Sequence, residues 1–358
     1  MTLESIHAGS YSVHFNEIGF SFLNNLLDEK NYSKIFILVD TNTNEHCLSL
    51  FLSEITTDNS LEIIEIEAGE IHKNIETCSQ VWLALSELGA DRKSVIINVG
   101  GGVVTDLGGF VASTYMRGID FVNVPTTLLA MVDASVGGKT GVDLGTLKNQ
   151  VGVINNPQGV LIDSRFLATL PPEQLRSGMA EMFKHGLIQS LPYWLQMKKL
   201  NELGLDKLDQ LIYDSVVIKN NVVRQDPTEK GLRKALNFGH TLGHAIESYL
   251  LDNPTKKPLL HGEAIAVGMV LAAYLSSEIC NFPKEQTDDI KKVLSEYFPK
   301  VIFEPSDIER IIGLLKFDKK NSHGNINFLL LSEIGVPVFD QKIDNKLIHQ
   351  AFAYYERS

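Results

Sequence analysis

A chain of 358 residues, 44% of them hydrophobic and 21% charged, can bury enough apolar surface to offset the entropy of ordering it, which excludes a disordered protein and leaves room for two domains. The formal net charge of −12 argues against a general nucleic-acid surface, so an anionic ligand would need a local cluster of Lys and Arg acting against the overall field. Cys47, Cys78 and Cys280 are odd in number and widely spaced, which suits a reducing compartment better than a disulfide framework.

Residues 1–10 hold Glu4 and His7 and no apolar run, unlike a signal peptide, and no 18-residue apolar stretch is expected to span a membrane; the cytoplasm is the expected location. Residues 34–39 are the first buried-strand candidate, closing at Asp40-Thr41-Asn42. Residues 61–67 are the second, and Gly69-Glu70 leads from them into a helical pattern over 77–88. The third, 94–99, runs straight into Gly100-Gly101-Gly102, and the fourth, 121–124, stops at Pro125. Strands alternating with helices predict βαβ units and a parallel Rossmann-like sheet, with ligands at the strand C-termini.

Beyond Leu170-Pro171-Pro172 the apolar spacing becomes helical. Helices are predicted over 173–188, 205–223, 234–250, 263–279 and 288–297, followed by a strand over 326–331 that hairpins with 336–339. The expected fold is an α/β N-terminal domain, 1–170, and a mainly α-helical C-terminal domain, 171–358, with a site in the cleft between them.

Three motifs carry chemistry. Gly100 to Asp106 reads as strand, glycine turn and helix start, where a pyrophosphate can approach the backbone. Thr105 stands where a standard GxGxxG wants Gly or Ala, and a merely structural turn is an equal alternative. Gly137-Gly138-Lys139-Thr140 with Lys148-Asn149 lacks phosphate-loop spacing, so a nucleoside triphosphatase is not supported. Its two lysines could meet a phosphate or carboxylate, or lie in a solvated loop.

His240 and His244 lie four apart, facing the same way on a helix, with His261 and Glu181 as further candidate metal partners. Taken singly, Glu181 reads more readily as a surface pair with Lys184 or His185. Lys219, Arg233 and Asn237 read singly as a charged helix face.

Together these stretches resemble the 3-dehydroquinate synthase family, NAD- and zinc-dependent cyclases within the sugar-phosphate cyclases. The resemblance runs from about residue 40 to 331. It rests on Gly-Gly-Gly-Val-Val-Thr-Asp at 100–106, Pro-Thr-Thr-Leu-Leu-Ala-Met-Val-Asp at 125–133, Gly-Gly-Lys-Thr at 137–140, Lys148-Asn149, Gly-Met-Ala-Glu at 178–181, Leu-Asn-Phe-Gly-His-Thr-Leu-Gly-His-Ala at 236–245 and His-Gly-Glu at 261–263. Thr105 and Gly108 depart from it, standing where glycine and threonine respectively are frequent.

The resemblance implies Glu181, His240 and His261 as zinc ligands, with cobalt as an alternative metal, and places His244 on the substrate as a proton relay. It implies NAD contacts from Asp40, Asn42, Glu70, Lys73, Gly101, Gly102, Val103, Val104, Thr105, Asp106, Thr126, Thr127, Lys139, Lys148, Phe166 and Thr169. Asp133, Lys139 and Asn149 would join His244 in catalysis. Lys184, Lys219, Arg233, Asn237 and one of Lys319 and Lys320 would hold a sugar-phosphate acid, 3-deoxy-D-arabino-heptulosonate 7-phosphate, with Arg117 reaching its phosphate across a homodimer. The implied reaction is transient oxidation by NAD, phosphate β-elimination, re-reduction and intramolecular aldol closure to 3-dehydroquinate. A metal-dependent polyol or glycerol dehydrogenase and a sister cyclase are the alternatives; neither nucleic acid nor membrane is an expected partner.

Overall fold

Two strands, β3 (Ile35–Asp40) and β5 (Val95–Gly100), are buried at every position, as strands covered on both faces must be. They are the centre of the first of two compact units in a computed structural model that describes residues 3–145, 147–200, 207–315 and 326–357. This unit comprises Met1–Pro171 and Lys207–Pro227.

Its seven-stranded sheet adds β1 (Ile6–His7), β2 (Ser12–Phe15), β4 (Leu61–Ile66), β6 (Asp120–Pro125) and β9 (Gly159–Ile162), in the order β1-β2-β9-β6-β5-β3-β4. Every pairing is parallel except β1 with β2. The chain moves outward from β3 to β4 and then returns to the other side of β3 as β5, which puts a topological switch point between β3 and β5. Helices α4 (Ile75–Glu87) and α5 (Gly102–Thr114) close one apolar layer with Phe36, Leu38, Ile96 and Phe121.

The four predicted strands fall within one or two residues of β3, β4, β5 and β6. The glycine–lysine stretch expected as a loop is instead an antiparallel hairpin, β7 (Lys139–Leu144) and β8 (Leu147–Ile154). Gly141 and Gly152 let its strands meet, since a Cβ at either would lie 2.5 Å or less from a carbonyl oxygen opposite.

The expected division at 170/171 needs one correction. Helix α8 (Leu208–Gln225) belongs to the first unit, not to the C-terminal domain. The cause is its buried polar face. Lys219 pairs with Asp133, Asn220 Nδ2 donates to the His7 carbonyl at 3.0 Å, and Asn16 Nδ2 donates to Asp209.

The second unit, Pro172–Asp206 with Thr228–Ser358, is organised on α10 (His261–Ile279), which packs against α6 (Pro172–Gln189), α9 (His240–Asp252), α11 (Lys284–Tyr297) and α13 (Asn345–Glu356). By length and composition α10 could cross a bilayer, contrary to expectation. However, 78% of its apolar window is buried inside the protein, as a core helix demands. A hairpin of β10 (Phe328–Glu333) and β11 (Val336–Gln341) follows as predicted.

The helix expected over 234–250 is broken. Residues Leu232–Asn237 form a 3-10 turn, and α9 begins only at His240, after Gly239 at φ 78°. Gly239 is needed there twice over, because a Cβ would also lie 2.8 Å from the Met269 amide nitrogen.

Candidate functional site

In the second unit, glycines bring α9 and α10 into near backbone contact. A Cβ on Gly268 would sit 2.0 Å from the Gly239 carbonyl oxygen, and one on Gly243 would sit 2.7 Å from Ile265 Cδ1. The first turn of α10 is fixed to α6 in the same way. Gly262 N donates to Ser177 Oγ at 2.9 Å, and a Cβ on Gly262 would strike the Ser177 carbonyl at 2.0 Å. His261 and Glu181 are thus registered by their neighbours in sequence. Gly268→Ala should move α10 off α9 at a cost of about 1–3 kcal/mol, read by denaturation, together with weaker divalent-metal binding by the folded variant.

At this junction the fully buried Glu181 lies with Oε1 3.5 Å from His240 Nε2 and 3.7 Å from His261 Nε2. The other nitrogen of each ring is engaged. His240 Nδ1 donates to the Phe238 carbonyl at 3.1 Å, and His261 Nδ1 lies 3.1 Å from Glu247 Oε2. A carbonyl can only accept, so the His240 proton sits on Nδ1 and its Nε2 keeps a lone pair when the ring is neutral.

Two imidazoles with their far nitrogens tied and their near nitrogens aimed at one buried carboxylate oxygen fit a divalent metal such as zinc or cobalt. Burial alone would lower the His261 pKa, but Glu247 and then Glu181 push it up to about 10, a measure of how strongly this pocket favours positive charge. His244 joins the group, its ring centroid 5.0 Å from His240 and 5.6 Å from His261, and ligand atoms of the three histidines lie within 4.8 Å of one another. Lys184 donates to Glu181 Oε2 from a fully buried position. Arg233 is also buried, and Asn237 Nδ2 donates to Glu229 Oε1 at 2.6 Å. Lys319 and Lys320 lie outside the described residues.

The first unit carries the glycine turn. β5 leads through Gly101 into α5, whose N-terminus has no side-chain cap. Thr127 closes under Gly101, and a Cβ there would lie 2.9 Å from Thr127 Cγ2. Thr126 N donates to the Gly100 carbonyl at 3.0 Å, and the buried Thr105 hydroxyl bonds back to the carbonyls of Gly101 and Gly102. An uncapped helix start beside bare backbone at a switch point fits a dinucleotide's pyrophosphate. Val103 is half-buried and Val104 fully buried against this turn.

Gly108 also finds its reason here: a Cβ would lie 1.9 Å from Oδ1 of the buried Asn98. At the end of β3, Asp40 accepts from Thr43 N at 2.7 Å as a helix cap, with Asn42 exposed one residue before Thr43. The Phe166 ring is buried in the core, whereas Thr169 is exposed.

Around Lys73 is a charged cluster. Its ammonium meets Asp106 Oδ2 at 2.8 Å and Glu70 Oε1 at 3.8 Å, and Lys148 meets Glu70 at 2.8 Å. Burial would favour neutral Lys73, but Asp106, Glu70 and Asp143 outweigh it and hold the ammonium well above its usual value. Asp143 also accepts from Asn149 N at 2.6 Å, with Asn149 at φ 51°. Lys219 reaches both the side chain and the backbone carbonyl of Asp133, and Lys139 is exposed at the start of β7. Arg117 is exposed in a turn where Met116, Arg117 and Gly118 all have positive φ (48°, 70° and 111°). Such strain persists where surrounding structure enforces it.

Glu247, Glu229 and Asp143 are absent from the sequence-based assignment. Glu247 was findable, since it lies seven residues after His240 on the same stripe of α9. Glu229 and Asp143 sit in turns, where no periodicity marks them.

Residues 63–177 match the 3-dehydroquinate synthase N-terminal family and residues 178–321 the C-terminal family. A 3-dehydroquinate synthase of Parabacteroides distasonis is 42% identical over 340 residues, covering 94% of this chain and 96% of that one. A 2-deoxy-scyllo-inosose synthase solved with carbaglucose-6-phosphate, NAD+ and Co2+ superposes with a TM-score of 0.86 at 26% identity over 99% of both chains. The 2-epi-5-epi-valiolone synthase of Streptomyces hygroscopicus with NAD+ and Zn2+ bound gives 0.82 at 25%, again over 99% of both. With both family halves matched in order and a synthase 42% identical along nearly the whole chain, this chain belongs to the 3-dehydroquinate synthase family.

Proposed function

We propose that the chain is a 3-dehydroquinate synthase, a phosphorus–oxygen lyase that converts 3-deoxy-D-arabino-heptulosonate 7-phosphate to 3-dehydroquinate and phosphate. The observation that carries this reading is the donor set Glu181, His240 and His261, within a chain 42% identical to a synthase of that name along nearly its whole length. The two sister cyclases, at 26% and 25%, are more distant.

When bound, NAD+ supplies a reversible hydride acceptor and the metal a Lewis acid for the substrate hydroxyls. The chain's own groups do the rest. Glu181, His240 and His261 hold the metal, and His244 holds or passes a proton at the substrate hydroxyls. Gly101, Gly102 and the α5 N-terminus receive the pyrophosphate, with Asp40, Asn42, Glu70, Lys73, Asp106, Thr126, Thr127, Lys148 and Thr169 around the dinucleotide. Lys139, Lys184, Lys219 and Arg233, with Arg117 of a second copy, supply the cations that a carboxylate and a phosphate require. Asp133, Asn149 and Asn237 orient the sugar hydroxyls.

The test is phosphate release from the heptulosonate phosphate. It should require NAD+, stop with a metal chelator, resume with zinc or cobalt, and leave no net NADH. Net NADH from a simple polyol would instead identify a dehydrogenase, and turnover of sedoheptulose 7-phosphate a sister cyclase.

The same reading makes the enzyme a cytoplasmic homodimer that engages neither nucleic acid nor membrane, in keeping with a net charge of −12. Supporting the dimer, β8 pairs only with β7 among the described residues. The hairpin also exposes Leu144, Leu147, Val153 and Ile154, an edge that a single copy would leave open to water. Val153→Lys with Ile154→Lys should convert a dimeric sedimentation profile to a monomeric one; an unchanged profile would remove this edge from the interface.

A further inference from the structure

We infer that Glu247 is a positioning residue for the metal centre, the carboxylate that aims His261. The inference rests on the metal-site reading above and goes beyond it, because no ligand role falls to Glu247. Its oxygen Oε2 lies 3.1 Å from His261 Nδ1, and it is itself buried, at 7% exposure. His240, His244 and Glu247 fall at i, i+4 and i+7 on α9, so one stripe of that helix faces the start of α10. Helix α9 thus supplies one donor directly, through His240, and sets the ring plane of the donor on α10 through Glu247.

An imidazole held at Nδ1 by a carboxylate carries its proton there. When the ring is neutral its Nε2 is then the lone-pair nitrogen, and in this protein Nε2 is the atom 3.7 Å from Glu181 Oε1. The corresponding nitrogen of His240 is held by the Phe238 carbonyl at 3.1 Å. The two histidines therefore have different supports: a neutral backbone acceptor for one and an anion for the other. The anion makes its ring the more basic ligand and adds negative charge near a dication. The Glu247 tie also joins two helices that already meet through glycines at Gly239, Gly243 and Gly268, so the ring has little freedom left once both are in place.

The test compares wild type, Glu247→Gln and Glu247→Ala as full-length proteins. Zinc affinity is read by chelator competition and the visible absorption of the cobalt-loaded protein is recorded. Glu247→Ala should weaken metal binding by about 10–100-fold and shift the cobalt bands. Glu247→Gln, which keeps an acceptor but not the charge, should fall between it and wild type. Wild-type affinity and an unchanged cobalt spectrum in both variants would overturn the inference, as would a lowered metal-free melting temperature with unchanged affinity, the mark of a purely structural tie. Should Glu247→Ala fail to fold, Glu247→Gln decides alone. A wild-type protein that binds no metal would count against the metal-site reading itself, a result distinct from either.

Discussion

His240→Ala should leave a folded protein that no longer retains zinc or cobalt and releases no phosphate, while His244→Ala should keep its metal and turn over slowly. The difference follows from the roles proposed for the two rings. His240 Nε2 points at Glu181 Oε1 from 3.5 Å with its far nitrogen tied to a carbonyl, so its loss removes one of the donors that Glu181 faces. Losing the Lewis acid forfeits several kcal/mol of charge stabilisation, about a thousandfold or more in rate. His244 shares the stripe, but its proposed role is at the substrate, and a proton-relay residue is worth about 10²–10⁴-fold. Metal content by mass spectrometry and phosphate release on the same samples separate the two roles. Equal metal loss in both variants would make His244 a ligand and end this division of labour.

Much of this was legible in the chain because the informative signals are local. Ile35–Asp40 and Val95–Gly100 are unbroken apolar runs, and a strand buried on both faces has to read that way. Glycine turns and histidine spacing are likewise short-range. What was misread depends on partners far away in sequence. The apolar period over 234–250 continues through Phe238-Gly239, and only the backbone of Gly268 and Met269 packed against Gly239 shows why the chain must break there. Helix α8 has an unremarkable pattern, and its place in the first unit is set by Asp133, 86 positions away from Lys219. Glu247 lies on the His240 stripe, but only the His261 ring, 3.1 Å from it, sets it apart from any other helix carboxylate. Spacing pairs His240 with His244; the fold adds His261 from α10, which Glu181 approaches as it does His240.

Lys73→Met should be among the most destabilising single substitutions in the first unit, about 3–5 kcal/mol by chemical denaturation, and should abolish tight NAD binding in whatever folded protein remains. Its side chain is 5% exposed and its ammonium lies 2.8 Å from Asp106, with Glu70 and Asp143 adding further negative charge. The methionine would fill the space and leave those carboxylates facing one another in a poorly solvated pocket. Asp106→Asn in the same chain should recover part of the stability, since it removes the stranded charge, but should not recover NAD binding. The pH dependence carries a sign. The folded ammonium titrates above its usual value of 10.5, so its contribution is fully present below that pH and is lost only as the solution becomes strongly alkaline. Wild type and Lys73→Met should therefore differ in stability by the same amount across pH 7 to 9, converging only far above. A difference already fading near pH 8 would mean that the buried lysine is neutral in the folded protein and that the cluster is held by hydrogen bonds alone.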